Sequence, residues 1–449
     1  MRCESIILAA GQGQRMESEV PKVLHTIGGR PILLWAVEAC WKATGRPPYV
    51  VVGPEADDVK QLLGTEVHYV EQAERLGTGH AVLQARESLR GQGTHVLVVN
   101  ADLPLLRPET LSVLLDRQKA NPGPLTLLVA STRTARGFGR VVRDQDGRVR
   151  GIIEEAHASP GEQAIEELNV GAYGFEASWL WEHVDRIPLS PKGEYYLTDM
   201  VALAVDEGKS VATSEVLDLD EVIGINTREH LAEVEAALRR RINRRWMLDG
   251  VTIIDPQATY IGPEVNLGRD TTVFPNTHLE GATTIGNGCQ IGPGTIIRDC
   301  KVGDRCQVVF SVLEQAILDD EVSVGPFAHL RPRAHLMRGV HMGNFGEVKN
   351  STLGPGAKMG HFSYVGDATI GEEANIGAGT VTCNFDGEKK HSTEIGAHAF
   401  IGSDTMLIAP VRIGDRARTG AGAVVTRDVP DDTLAVGMPA RAIKKLKKP

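Results

Sequence analysis

Between residues 261 and 297 an aliphatic side chain recurs every six positions: Ile261, Leu267, Val273, Leu279, Ile285, Ile291 and Ile297. No α-helix has that period, and simple strand alternation would not skip so regularly. Small or polar residues that can turn a corner follow most of these aliphatics, as in Ile-Gly-Pro-Glu-Val-Asn and Leu-Gly-Arg-Asp-Thr-Thr. This is the hexapeptide pattern of an all-β, left-handed parallel β-helix, in which six residues make one face and about eighteen make a coil. The frame slips near Cys300 and around residues 337–342, then returns as Ile395, Ile401, Leu407, Ile413 and Val425. The span 252–430 predicts roughly ten coils. Such a prism exposes flat flanks, and three prisms packed side by side, a homotrimer, is the expected assembly.

Ahead of residue 227 the pattern changes. Short apolar runs at 4–9, 49–53, 67–70 and 95–99 read as parallel strands, and 32–43, 78–90 and 108–119 as the helices between them. That alternation predicts a doubly wound, Rossmann-like α/β domain over 1–226, with ligands bound where the strands end. Residues 227–248 predict a helix with Thr227 as its cap and Leu231, Val234, Leu238 and Ile242 as its apolar stripe. Its basic run, 239–245, reads as a solvated face. The organisation expected is therefore an α/β domain over 1–226, a linker helix over 227–250 and a β-helix domain over 251–449.

Composition narrows the function class. A chain of 449 residues exceeds one hydrophobic core. A net charge of −10 argues against a general nucleic-acid or membrane binder. The six cysteines, Cys3, Cys40, Cys289, Cys300, Cys306 and Cys383, form no CxxC pair. Cys300 and Cys306 lie one hexad apart, which reads as stacking rather than a metal site or a disulfide. A reducing, cytoplasmic compartment is expected, with no membrane span and no secretory leader.

Candidate chemistry gathers at the strand ends. After the first strand comes AAGQGQRM, residues 9–16, where Gly11 and Gly13 leave backbone amides free to wrap phosphate oxygens and Arg15 adds charge. A dinucleotide fingerprint would need glycine where Met16 stands, and the Walker Gly-Lys-Ser/Thr is absent. PKVLHTIGGRP, residues 21–31, sets Lys22 behind the loop, where it can neutralise a phosphate. Asp102, straight after the strand HVLVV, is a poor core residue and a good Mg²⁺ ligand.

LAAGxGxRM followed by PKxLxxIxGxP resembles the sugar-1-phosphate nucleotidylyltransferases. Joined to a C-terminal hexapeptide prism, the whole chain resembles one bacterial family, the bifunctional N-acetylglucosamine-1-phosphate uridylyltransferases/glucosamine-1-phosphate N-acetyltransferases. The resemblance implies that Leu8, Ala9, Ala10, Gly11, Arg15 and Lys22 meet the nucleotide, and that Gln72, Gly77 and Thr78 hold uracil. A Gly-Thr helix cap is the other reading of the last pair, and Thr78 could do both. Where the family usually carries Tyr-Gly-Asp, this chain has Asn100-Ala101-Asp102. The aspartate is kept, and any contact of residue 100 with the base is weakened. Gly139, Glu154 and Asn169 are implied for the sugar pocket, with Glu194 or Asp199 of EYYLTD reaching it. Asn226 is implied as the second Mg²⁺ ligand beside Asp102.

On the prism, Arg331, Lys349, His361 and Tyr364 interrupt the aliphatic rhythm with polar residues, which suggests a flank groove. GHFSYVGD, residues 360–367, closely resembles the acetyltransferase signature, which makes His361 the implied general base; imidazole suits proton removal at neutral pH. Arg331 and Lys349 are implied to hold the sugar phosphate, and Tyr364, Asn375 and Lys390 to contact the sugar. Ala378, Asn384, Phe385, Ser403 and Ala421 match acetyl-CoA positions, with Phe385 replacing a more usual tyrosine. Arg441 stands three residues past Met438, where the family commonly has arginine, and could reach a coenzyme A phosphate; a solubilising basic tail is the competing reading.

The implied reactions are acetyl transfer from acetyl-CoA to glucosamine 1-phosphate and Mg²⁺-dependent uridylyl transfer from UTP to N-acetylglucosamine 1-phosphate. Two rivals stand beside this. One is a monofunctional nucleotidylyltransferase with a structural or regulatory prism, against which Arg331, Lys349 and His361 speak. The other is a non-enzymatic exchange-factor-like subunit, against which Gly11, Lys22 and Asp102 speak.

Overall fold

The computed structural model describes residues 2–134 and 137–445. The chain divides into two compact units, Met1–Leu238 and Arg239–Pro449. The divide falls inside one helix, Arg228–Leu248.

The first unit is built on one sheet whose strands, in chain order, are β1 (Cys3–Leu8), β2 (Tyr49–Val52), β3 (His68–Glu71), β4 (His95–Asn100), β5 (Leu125–Ser131), β6 (Gly139–Arg143), β7 (Val149–Ile153), β8 (Glu167–Glu176) and β9 (Val211–Glu215). Their order across the sheet is β9-β5-β8-β4-β1-β2-β3, with β6 and β7 continuing from β8. The pairs among β1, β2, β3 and β4 are parallel, and β8 runs antiparallel to both β4 and β5. Neighbouring residues of each strand bury on opposite faces: Ile7, Val50, Leu97 and Val99 join one core, and Ile6, Val51, Val96 and Val98 the other. Both faces are covered, so the strands read as unbroken apolar runs.

The expected helices form as Ile32–Thr44 and Pro108–Ala120, while 78–90 splits at Ala85 into Thr78–Gln84 and Arg86–Leu89. The helix Arg228–Leu248 is not a merely solvated linker. Within the first unit, Val234, Ala237 and Leu238 are buried, Arg228 donates to the Met16 carbonyl, and Glu235 accepts from the Gly28 N–H. Within the second, the wholly buried Asn243 donates to the carbonyls of Pro256 and Thr259, and Arg239 lies over the Tyr260 ring. The basic run thus hides one amide anchor.

A second anchor clamps the first unit's helix Ala177–His183. Glu207 accepts from Trp179 Nε1 at 3.0 Å and meets His183 Nε2 at 2.7 Å and Arg186 Nη1 at 3.0 Å. The Trp179 hydrogen bond first, then His183 and Arg186, hold its carboxyl well below the ordinary glutamate value, at about 2. A depressed folded pKa stabilises at pH values above the unfolded one. Glu207→Gln is therefore expected to lower the melting temperature at pH 7, and the gap should close as pH falls from about 4.3 toward about 2. Calorimetry across that range checks it.

The second unit is the left-handed parallel β-helix. Its strands, mostly of two to four residues, stack into three sheets of 12, 10 and 9 strands. One aliphatic column runs Ile253, Val273, Ile291, Val308, Val324, Met342 and Met359, each paired with the next and each buried. Corners carry non-glycine residues at positive φ, such as Arg305 and Phe327, which costs conformational energy. Their N–H groups repay part of it by donating to the coil before, Arg305 to Asn287 and Phe327 to Phe310, each at 2.8 Å. The slip at Cys300 is a shortened coil, with Thr284 paired to Lys301 rather than eighteen residues on. Residues one hexad apart lie on adjacent faces, so Cys300 and Cys306 do not stack. The register sets Cys306 next to Cys289 instead, and all six cysteines are free.

Candidate functional site

The carboxyl ends of β1, β3 and β4 open on a cleft of about 1000 Å³ in the first unit. All the nucleotide and sugar residues expected from sequence line it: Leu8, Ala9, Ala10, Gly11, Arg15, Lys22, Gln72, Gly77, Thr78, Asp102, Gly139, Glu154, Asn169 and Asn226. Among the described residues the N–H groups of Gly11, Gln12 and Gly13 meet no protein acceptor, so three donors remain for an anion. A Cβ on Gly11 would meet nothing within 4 Å, so that glycine leaves space open to a ligand.

Gly77 is glycine for a different reason. Its φ is +98°, and a Cβ would lie 2.6 Å from the Tyr195 carbonyl oxygen. The EYYLTD segment packs against this turn: Gly79 N–H donates to Tyr195 O, and Tyr195 N–H to Leu76 O. Thr78 is not a side-chain cap; its hydroxyl accepts from Leu197 N–H at 2.9 Å. Gln72, 3% exposed, donates to the Gly77 carbonyl and so holds the same turn. Glu194, Tyr196 and Thr198 line the cleft, and Thr198 donates to Glu154 at 2.8 Å. Burial, then the nearby Glu154 charge, pushes the Asp199 carboxyl above its ordinary range.

Asn169 donates to the Tyr173 hydroxyl at 2.8 Å, while its buried Oδ1 has no partner. An unpaired buried acceptor is costly until a donor meets it, and Asn169 lines the cleft.

Asp102 and Asn226 converge from 124 positions apart because Ile225 N–H donates to the Asp102 carbonyl. The Lys22 ammonium sits between them, 2.7 Å from Asp102 Oδ2 and 3.4 Å from Asn226 Oδ1. Two oxygen donors already gathered around a cation fit Mg²⁺, which takes one or two protein oxygens and completes its shell with water and phosphate. Lys22 both pairs with this carboxylate and lines the cleft.

On the prism, three expected residues share one face. His329, Glu347, Tyr364 and Val381 are successive partners across neighbouring strands, and Arg331 and Lys349 lie two residues past His329 and Glu347. Arg331 pairs with Glu347 at 2.8 Å. The Lys390 ammonium, then Arg331, pull the Lys349 ammonium below the ordinary lysine range, a crowding of cations that an anion would relieve. His361, Ala378, Ser403 and Ala421 follow one another up an edge, their neighbouring corners linked by Gly379 N–H to Phe362 O, Asp404 N–H to Ala378 O and Gly422 N–H to Ser403 O. His361 is exposed. Asn375 belongs to an adjoining sheet, between Lys358 and Phe400. The loop after Cys383 closes by a Phe385–Lys390 bridge, and Asn384 donates to Asp367 at 2.6 Å. A smaller hollow along this flank takes in Lys390 but not His361. Arg441 opens the last strand, exposed and paired with Val436.

Residues 5–247 match the MobA-like NTP transferase domain, and residues 264–299 and 392–427 match bacterial transferase hexapeptide repeats. Relatives called bifunctional protein GlmU in Pelobacter propionicus, Heliobacterium modesticaldum and Streptococcus agalactiae are 46%, 43% and 41% identical. The matches span 96%, 98% and 96% of this chain and 95%, 96% and 95% of theirs. The chain belongs to the GlmU family of bifunctional proteins.

In this GlmU-family chain the NTP transferase and the hexapeptide acyltransferase regions occupy the two units just described, and the protein is a bifunctional transferase. Among the described residues no helix is long and apolar enough to cross a membrane. Sequence reasoning missed Arg75, Phe138 and Lys192, which also line the cleft. It set Asn100 aside, yet Asn100 lines the cleft too, and a Cβ on Gly171 would lie 2.4 Å from its amide nitrogen. It also missed Asp367, whose carboxylate takes amide donors from both Asn350 and Asn384. The motif GHFSYVGD contains that aspartate, which was the available signal.

Proposed function

We propose that this transferase makes UDP-N-acetylglucosamine in two steps, acetylating glucosamine 1-phosphate with acetyl-CoA and then joining the product to UTP. The observation that carries the reading is one cleft of the first unit, lined together by the unpaired loop amides, by Lys22 with Asp102 and Asn226, and by Asn169, whose buried oxygen is orphaned.

In the second step a phosphate oxygen of N-acetylglucosamine 1-phosphate attacks the α-phosphorus of UTP in line, the α–β P–O bond breaks, and pyrophosphate leaves. The attacking phosphate is already ionised, so no base is required. The chain's work is positioning and charge neutralisation by Arg15, Lys22 and the amides of residues 11–13. Asp102 and Asn226 would hold Mg²⁺, which when bound supplies further neutralisation of the triphosphate. Gln72, Gly77 and Thr78 serve uracil, and Gly139, Glu154 and Asn169 the sugar.

In the first step His361 takes a proton from the glucosamine ammonium. The freed amine attacks the acetyl carbonyl, the thioester C–S bond breaks, and coenzyme A leaves as the thiol, with the proton that the attacking nitrogen gives up balancing the one the sulfur takes. Arg331, Lys349, Tyr364, Asn375 and Lys390 serve the sugar phosphate, and Ala378, Asn384, Phe385, Ser403, Ala421 and Arg441 serve acetyl-CoA. The working form is a cytoplasmic homotrimer, with catalytic domains 1–226 and 251–449 and the helix region 227–250 between them.

The test is product formation from glucosamine 1-phosphate, acetyl-CoA, UTP and Mg²⁺, followed by mass spectrometry. UDP-N-acetylglucosamine and pyrophosphate are expected; UDP-sugar formed only when N-acetylglucosamine 1-phosphate is supplied would leave a monofunctional enzyme. Arg441→Ala is expected to raise the KM for acetyl-CoA about fivefold, the loss of one charge-assisted contact worth about 1 kcal/mol. An unchanged KM would make the arginine a solubilising residue.

A further inference from the structure

Arg75 has no place in the mechanism above, yet it lines the same cleft, between the turn at Gly77 and the loop at Gly11. Its Nε donates to the Ala10 carbonyl at 2.9 Å, and among the described residues nothing else donates to that oxygen. The guanidinium rests over Gly53, just past the end of β2, where a Cβ would lie 2.7 Å from Nη2 and 3.2 Å from Cζ. Among the described residues its only ion pair is weak, 3.5 Å to Glu55, whose side chain is 82% exposed. So Arg75 is seated by a glycine on one side and fastened to a backbone carbonyl on the other.

The consequence follows from peptide geometry. The Ala10 C=O and the Gly11 N–H belong to one planar trans peptide and point in opposite directions. Fixing the carbonyl therefore fixes the amide. Gly11 N–H has no protein acceptor, and Gly11 lines the cleft. We propose that Arg75 is a positioning residue for uridylyl transfer: by holding the Ala10 carbonyl it aims the Gly11 N–H at the nucleotide. This rests on the uridylyl-transfer reading proposed above. It links the turn that faces the base to the loop that faces the phosphates.

Three variants of the full-length protein separate this from a plain charge effect. Arg75→Met removes both donor and charge, Arg75→Gln keeps an N–H donor without charge, and Gly53→Ala displaces the guanidinium by its far end while leaving Arg75 in place. The KM for UTP is expected to rise tenfold or more in Arg75→Met and in Gly53→Ala, with Arg75→Gln recovering most of the loss. Acetyl transfer and the melting temperature, measured on the same preparations, should stay at parental values. A UTP KM in Arg75→Met within twofold of the parent overturns the inference. So does an Arg75→Gln protein as impaired as Arg75→Met, which would make the charge, not the hydrogen bond, the active feature. A parental protein that turns over no UTP at all would instead overturn the functional reading on which this rests.

Discussion

Asp102→Asn is expected to lower uridylyl transfer by about a hundredfold or more while leaving acetyl transfer within twofold of the parent. Losing one preorganised charge interaction with a reacting phosphoryl group costs about 3 kcal/mol. Asp102 is placed for that role by two contacts. It follows β4, where its carbonyl accepts from Ile225 N–H, and its carboxylate already holds the Lys22 ammonium beside Asn226. Asparagine keeps the shape and one oxygen donor but removes the charge. Lys22 lies between the two oxygens that would hold Mg²⁺, so Asp102→Asn weakens the hold on either cation. The variant should therefore need much more Mg²⁺ for half-maximal rate, and Mn²⁺ binding followed by water-proton relaxation should weaken in parallel. Parental UTP turnover at limiting Mg²⁺ would show that Asp102 is not the metal ligand. The acetyl activity of the same sample guards against misfolding as the cause.

The sequence showed those features whose signal is periodic or contiguous. Ile261 through Ile297 announce the prism because only a fixed six-residue coil keeps such a register. Gly11 and Lys22 announce the nucleotide loop because they sit in a short continuous motif. What stayed hidden depends on pairing across long separations. The antiparallel direction of β8 leaves no local mark, since a strand's apolar pattern is the same in either direction. Ala85 breaks a helix without proline or glycine, so the segment 78–90 read as one element. Cys306 was matched to Cys300 by spacing, whereas the coil register gives it Cys289. Arg75 is a solitary arginine in a loop, and its partner Ala10 is a backbone carbonyl 65 residues away. The burial of Asn243 inside a basic run is likewise visible only once the first coil supplies the carbonyls of Pro256 and Thr259.

His361→Ala should abolish acetyl transfer, by about 10²- to 10⁴-fold, while leaving UTP turnover and the oligomeric state unchanged. The residue is exposed on a prism edge and carries no part of the buried column, so its loss should not unfold the coil. A single chain spreads the acetyl residues over an edge, a face, an adjoining sheet and a loop, and a hollow along that flank holds Lys390 without His361. That dispersion is the reason to expect activity only from an assembly. Dividing the chain tests it, and the helix Arg228–Leu248 dictates where to cut. Val234 and Leu238 are buried in the first unit, and Asn243 is anchored to the first coil of the second. Each fragment therefore needs the helix. A 1–248 fragment should make the UDP-sugar, and a 228–449 fragment should run as a trimer and acetylate glucosamine 1-phosphate. Cutting at 227 should cost the first unit stability, because Arg228 and Glu235 no longer tie down the Met16 and Gly28 backbone. A fully active monomeric 228–449 fragment would refute the dependence on assembly. A His361→Ala protein that still acetylates at the parental rate would remove the histidine from the chemistry.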